Sequence, residues 1–297
     1  MVANNSLNKP WSSQIELTYG CDNRCPMCYK QILEKPINEY DFMSLSTAKA
    51  ISSKMKQSGW DNIRLEFALR GEPTLNPHFH KIINLFRKKL PHSQILVTSN
   101  GNHTNPKFIK KFFKNGGNIM MIDCYHNNLD KRRKELEPHN FNIVDFYSDD
   151  FNPYHRHNPK KTHIVCLADD IKKNNKKDMK KILCNHGGNV DYEKIGKYGV
   201  LPLNEPLAKK CVKPFREIIF LYDGTIPICC EDSNIDCYLN NVHYVDDLNK
   251  FWRENKKLNK SRLLLYNKKR IFLPCKNCDY FGGMRQGFLP KMKQLDL

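Results

Sequence analysis

Seven of the twelve cysteines in this chain fall into two spaced sets. Cys21, Cys25 and Cys28 form C-x3-C-x2-C, and Cys211, Cys229, Cys275 and Cys278 form C-x17-C followed by C-x2-C. Thiols at such spacings are ligands for a metal or a cluster. Structural zinc takes four ligands in two pairs, and the first loop offers three with no histidine nearby. A 4Fe-4S cube held by three thiolates keeps one iron free to bind something else. The second set suits either a zinc ion or a cluster. Cys124, Cys166, Cys184, Cys230 and Cys237 are dispersed, and their default role is that of small core hydrophobes. An even count could signal disulfides, but that framework belongs to short secreted domains, and this chain is long enough to bury a core without them.

The remaining residues with chemical potential sit just after predicted strands. Gln14 to Thr18 alternates in polarity and leads into the first cysteine loop. Asn62 to Leu69 is a strand ending at Arg70-Gly71-Glu72-Pro73, and Gln94 to Thr98 is a strand ending at Ser99-Asn100-Gly101. Asn118 to Cys124, Asn142 to Phe146 and His163 to Leu167 make six strands. Between them, Ser44 to Ser58, Pro77 to Leu90, Lys107 to Lys114 and Lys172 to Leu183 have helical spacing. Strands alternating with helices predict βα units and a parallel sheet, a fold whose active face is the C-terminal strand edge. The suspect motifs all lie on that edge.

After Asn189 the pattern changes. Phe215 to Tyr222 and Thr225 to Cys229 read as a hairpin around Asp223-Gly224. A helical stretch follows from Val245 to Leu265, and then the terminal C-x2-C. Two domains are expected, residues 1–190 and 191–297, which agrees with 297 residues at about 150 per domain.

The formal charge is +18, and charged residues make up 27% of the chain. A strong positive balance could serve a nucleic-acid partner, but the lysines are scattered and lack the regular aromatic interleaving of a single-strand groove. The favoured reading is a solvated surface. No apolar run approaches the roughly 18 residues of a membrane span, and no basic segment followed by an apolar stretch marks a signal peptide. A cytoplasmic protein is expected, with no membrane partner.

Taken together, these residues resemble the radical S-adenosylmethionine (SAM) superfamily. Cys21-Asp-Asn-Arg-Cys25-Pro-Met-Cys28 is similar to its cluster loop, with Tyr29 following. Arg70-Gly71-Glu72-Pro73 resembles its Gly-Gly-Glu-Pro stretch, and Thr98-Ser99-Asn100-Gly101 its Thr-Asn-Gly strand ending. The later segment resembles the SPASM/twitch extension. Arg70 stands where the family usually has its first glycine, and no cysteine follows Cys278, which points to the shorter twitch form.

The resemblance implies an α/β fold, a partial (β/α)6 TIM-type barrel with a small C-terminal cysteine-rich twitch-like domain. It implies a SAM-binding 4Fe-4S cluster on Cys21, Cys25 and Cys28. An auxiliary 4Fe-4S cluster would sit on Cys211, Cys229, Cys275 and Cys278, with Cys230 as an alternative to Cys229. Gly71, Glu72, Pro73, Ser99 and Asn100 would bind SAM, with Glu72 pairing with its ammonium group. Reductive cleavage of SAM would give a 5′-deoxyadenosyl radical that abstracts hydrogen from the substrate, with electrons from a donor such as flavodoxin or ferredoxin. If the reaction is alcohol oxidation, a general base is needed, and Arg70, His126 and His186 are the candidates.

The implied function is radical oxidation of a small polar molecule. The alternatives are maturation of a ribosomally made peptide, modification of a nucleotide or nucleic acid, and, outside enzymes, a basic zinc-stabilised nucleic-acid-binding protein. The stretch before Cys21 is short for a leader-binding domain, which counts against the peptide, and the three-cysteine loop counts against zinc.

Overall fold

The structure, a computed structural model, describes residues 8–25, 28–32, 39–124, 129–146, 151–155, 157–168, 184–190, 193 and 203–280. The expected helix Lys172 to Leu183 and the candidate His126 lie outside the described residues.

The strands are β1 (Ser12–Ile15), β2 (Thr18–Tyr19), β3 (Asp41–Phe42), β4 (Arg64–Phe67), β5 (Gln94–Ser99) and β6 (Ile119–Asp123), then β7 (Ile143–Asp145), β8 (Ile164–Ala168), β9 (Glu217–Phe220), β10 (Thr225–Pro227) and β11 (Tyr238–Asn241). Seven of them form one sheet in the order β7-β8-β6-β5-β4-β1-β9, and every pairing in it is parallel. The four helices between the strands are α1 (Leu45–Gln57), α2 (Phe79–Lys89), α3 (Pro106–Lys114) and α4 (Leu129–Leu136). This is an α/β fold of the partial TIM-barrel type. The six predicted strands are all present, within a few residues. Among the described residues, no helix is long and apolar enough to cross a membrane.

Strand periodicity sorts the two faces. Ile15, Leu65, Phe67, Ile95, Val97, Met120, Ile122, Val165 and Leu167 pack with Ile51, Ile82, Phe86, Ile109 and Phe112 of the helices in the main core. The opposite, inner face is divided. Leu96, Ile119, Met121, Ile164 and Cys166 form a second apolar cluster across β5, β6 and β8. On β9, β1 and β4 the same face carries Glu217, Ser12, Gln14, Glu16, Arg64 and Glu66. Arg64 is buried and reaches Glu66 at 2.8 Å and Glu217 at 3.6 Å. Buried charges persist when they are paired, and these are. So the polar half of the lumen is where three strands from distant parts of the chain meet.

The expected hairpin is corrected. The Asp223-Gly224 turn forms, with Gly224 N–H donating to Leu221 O at 2.9 Å. Its two arms then diverge: β9 adds to β1 of the main sheet, while β10 pairs with β11. All four β9 residues pair with β1 residues more than 200 positions away, and local turn chemistry cannot report that. The helical stretch Val245 to Leu265 is two helices, Leu248–Glu254 and Lys256–Tyr266. Asn255 closes the first and caps the second, its side chain accepting from Leu258 N at 2.9 Å.

Candidate active site

The three motif loops meet at the C-terminal ends of β1, β4 and β5. Gly71 forms a parallel bridge with Gly20, directly before Cys21. A Cβ at Gly71 would lie 2.3 Å from both Gly20 O and Thr18 O, so glycine alone permits this approach. The next residue repeats the tie, with Glu72 N–H donating to Gly20 O at 2.9 Å.

The Glu72 side chain is 3% exposed and points inward. It accepts from Thr74 N at 3.0 Å, Thr74 Oγ1 at 2.5 Å, Ser99 Oγ at 2.9 Å and Asn100 N at 2.7 Å. Burial raises its pKa, and these donors pull it back. The carboxylate is therefore a brace between the loop after β4 and the end of β5. Pro73 opens the short turn that Glu72 caps.

Asn100 continues the brace. Its Nδ2 donates to Asp22 Oδ1 at 2.8 Å and lies 3.6 Å from Cys21 Sγ. Asp22 also takes Asn102 Nδ2 at 3.0 Å and His103 Nε2 at 2.9 Å. Asp22 was not singled out from sequence. Its only signal is its place inside the cysteine loop.

Cys21, Cys25 and Cys28 form no disulfide and are partly exposed. Burial pushes the Cys21 thiol up to about 11, and burial raises Cys28 as well. Cluster binding would therefore displace protons from these thiols. Cys211, Cys229, Cys275 and Cys278 also form no disulfide, and all are buried. Burial, and then the neighbouring Cys230, Cys275, Glu231 and Cys278, push the Cys229 thiol well up. Cys230 turns elsewhere: its Sγ is 2.7 Å from Lys213 Nζ. That contact favours Cys229 over Cys230 as the ligand of the second set.

Among the described residues, only Cys184, His186 and Glu231 bring three ligand atoms within 4.8 Å of one another. The unbridged thiols of the two sets supply the donor type that an iron–sulfur cluster takes.

Arg70 does not serve as a base. Its Nε and NH2 donate to Glu16 Oε1 and Oε2, both at 2.8 Å, and NH1 donates to Ser233 O at 3.2 Å. Glu16 is 0% exposed and Arg70 5%. Burial opposes the charge on Arg70, but Glu16 outweighs it and holds the guanidinium protonated. Standing in place of a glycine, this residue bridges β1, the loop after β4 and the segment carrying Ser233.

His186 sits in a polar cluster. Its Nδ1 is 3.1 Å from Glu231 Oε2, and its ring is 4.8 Å from that of Tyr29. Lys213 Nζ reaches Glu231 Oε1 at 3.2 Å, and Cys184 Sγ lies 3.1 Å from Glu231 Oε2. Burial would raise Glu231, but Lys213 and His186 hold it well below the usual carboxylate range. Burial and then Glu231 push Cys184 well up. Tyr29 is buried, and its hydroxyl has no hydrogen-bond partner among the described residues. Cys184 is thus not the inert core thiol its isolation in sequence suggested. Cys124 and Cys166 are, at 4% and 0% exposure.

A parallel α/β sheet with cysteine, Gly-Glu-Pro and Ser-Asn-Gly loops on one strand edge defines a cluster-dependent SAM enzyme. Residues 15–144, a little under half of the chain, match the Radical SAM superfamily. Solved structures share the fold. BtrN in complex with AdoMet and 2-DOIA is 18% identical with a TM-score of 0.67, covering 92% of this chain and 94% of that one. Native anSMEcpe with bound AdoMet is 16% identical with a TM-score of 0.53, covering 86% and 83%. Streptococcus suis SuiB bound to precursor peptide SuiA is 12% identical with a TM-score of 0.53, covering 86% and 67%. A search of curated protein sequences gives no match.

Proposed function

We propose that this protein oxidises a small polar substrate by hydrogen abstraction, with an alcohol as the favoured class. The carrying observation is a chain of contacts between the two cysteine sets. Tyr29 follows Cys28, its ring meets His186, His186 meets Glu231, and Glu231 lies two residues after Cys229. A substrate held there faces both sets at once.

The first set would hold the SAM-binding 4Fe-4S cluster, which when bound supplies a 5′-deoxyadenosyl radical. Cys211, Cys229, Cys275 and Cys278 would hold an auxiliary cluster able to take the second electron. The protein's own part is orientation. The Gly71 backbone brings the loop after β4 against the cysteine loop, and Glu72, Ser99 and Asn100 fix their spacing. The Tyr29 hydroxyl and Glu231 present polar contacts to the substrate. Loss of the hydroxyl proton falls to the group formed by Cys184, His186 and Glu231. An external donor such as flavodoxin or ferredoxin would reduce the first set's cluster, and a reducing cytoplasm suits twelve cysteines that form no disulfide. Residues 1–190 and 191–297 would carry the two cluster sites.

Candidate polyols, amino-cyclitols and short peptides deuterated at the reacting carbon test the reading. Deuterium in 5′-deoxyadenosine with a polyol, accompanied by a two-hydrogen mass loss in product, supports it. Transfer only from a peptide overturns the substrate class.

A further inference from the structure

We infer that Cys184, His186 and Glu231 form a mononuclear zinc site, separate from both cysteine sets. One sulfur, one imidazole nitrogen and one carboxylate oxygen converge, and all three lie within 4.8 Å of one another. Ligand atoms around one tetrahedral zinc are about 3.3–3.8 Å apart. Cys184 Sγ and His186 Nδ1 are each 3.1 Å from Glu231 Oε2, so a shift of well under an ångström per side chain would seat the ion.

The backbone is committed to this convergence. His186 has φ +45°, a left-handed conformation that strains a non-glycine residue, and Gly187 and Gly188 follow at +68° and +90°. The resulting turn puts residues 184 and 186 on the same side, toward Glu231. A Cβ at Gly187 would lie 2.8 Å from Glu231 O. Asn185 locks the turn in place: its N–H donates to Asp279 Oδ1 at 2.7 Å and its Nδ2 to Asn277 O at 2.6 Å, while its Oδ1 accepts from Asp279 N at 3.0 Å. Strain held by surrounding bonds is characteristic of functional sites.

The cluster also holds the Cys230 thiol, 3.6 Å from Glu231 Oε1, and the Lys213 ammonium, 3.2 Å from the same oxygen, which leaves Glu231 Oε2 facing Cys184 and His186. The mixed sulfur, nitrogen and oxygen donors select zinc over magnesium or calcium, which take oxygen. Three protein ligands leave a fourth position open, as in catalytic zinc sites. A substrate hydroxyl there would be made more acidic by the ion and would pass its proton to water, which supplies the acid–base step of the proposed oxidation. The site itself does not depend on that reading.

The test uses anaerobically purified protein with its clusters intact, equilibrated with zinc at micromolar free concentration and desalted. The expected result is about one zinc per chain, with an X-ray absorption edge fitted by one sulfur and nitrogen or oxygen neighbours. Cys184→Ser and His186→Gln should each lower zinc retention at least about tenfold with iron unchanged, the iron serving as the folding control. Zinc absent from the wild-type protein overturns the inference. So does zinc retained by both variants, or zinc bound by four sulfurs, which would place it on the second cysteine set. Failure of SAM cleavage would leave the zinc result standing, so the two proposals fail separately.

Discussion

Arg70 shows how much of this site is decided by single residues. A glycine at that position would leave Glu16 ionised and buried without its bidentate partner. Removing one member of such a pair typically costs about 3–5 kcal/mol, whereas removing both can be near neutral. Arg70→Gly is therefore expected to lower the denaturation midpoint sharply, and the double variant with Glu16→Gln to recover most of the loss. A single variant as stable as the wild type would show the pair to be dispensable. The departure from Gly-Gly-Glu-Pro was legible in the sequence, but its partner was not. Glu16 and Arg70 are 54 positions apart, and neither hydropathy nor spacing links them. The cysteine loop, by contrast, was readable because three thiols on one short segment carry their chemistry in the spacing itself. Glu231, Lys213 and Cys184 were missed for the opposite reason: each is ordinary alone, and only the fold brings them to one point.

At the scale of elements, helix ends and strand interiors follow local rules, and the sequence reported them well. Ser44 caps α1 by accepting from Thr47 N at 3.1 Å, and Asn105 caps α3 ahead of Pro106. Packing between elements carries a pH dependence. His80 on α2 packs against Phe108 of α3, with ring centroids 4.4 Å apart and the planes tilted. Burial, with Lys111 nearby, pulls its pKa down from 6.5 to about 4. The unfolded chain then binds the proton first, so stability is complete above pH 6.5 and falls as the pH drops toward 4. A pH series of melting temperatures should show His80→Gln losing less stability than the wild type between pH 7 and 5. Parallel curves would remove His80 from the cause. The C-terminal elements have their own test. Cys275→Ala with Cys278→Ala should leave SAM cleavage on the first set largely intact while stopping product formation and removing about half the iron. Normal turnover by a folded, iron-depleted variant would make the second set structural.

Across the whole molecule, the sheet brings strands from both ends of the chain into one lumen. β9 lies beside β1, and the polar stretch of that lumen runs from the first cysteine loop past Arg70 and Glu16 to Glu217 and Arg64. The fold class was legible because the βα alternation is local. The closing contribution of β9 was not, since a parallel partner 200 residues distant leaves no periodic signature. The +18 charge takes its place as surface: Lys107, Lys110, Lys111 and Lys114 all lie on the exposed side of α3. The decisive experiment is anaerobic incubation of the reconstituted protein with SAM and dithionite, with 5′-deoxyadenosine and iron measured together. The wild-type protein should hold about eight irons and release 5′-deoxyadenosine and methionine in equal amounts. The variant with Cys21, Cys25 and Cys28 replaced by Ala should hold about half the iron and release neither. Undiminished 5′-deoxyadenosine from that variant would contradict the assignment of the SAM-cleaving cluster to the loop after β2.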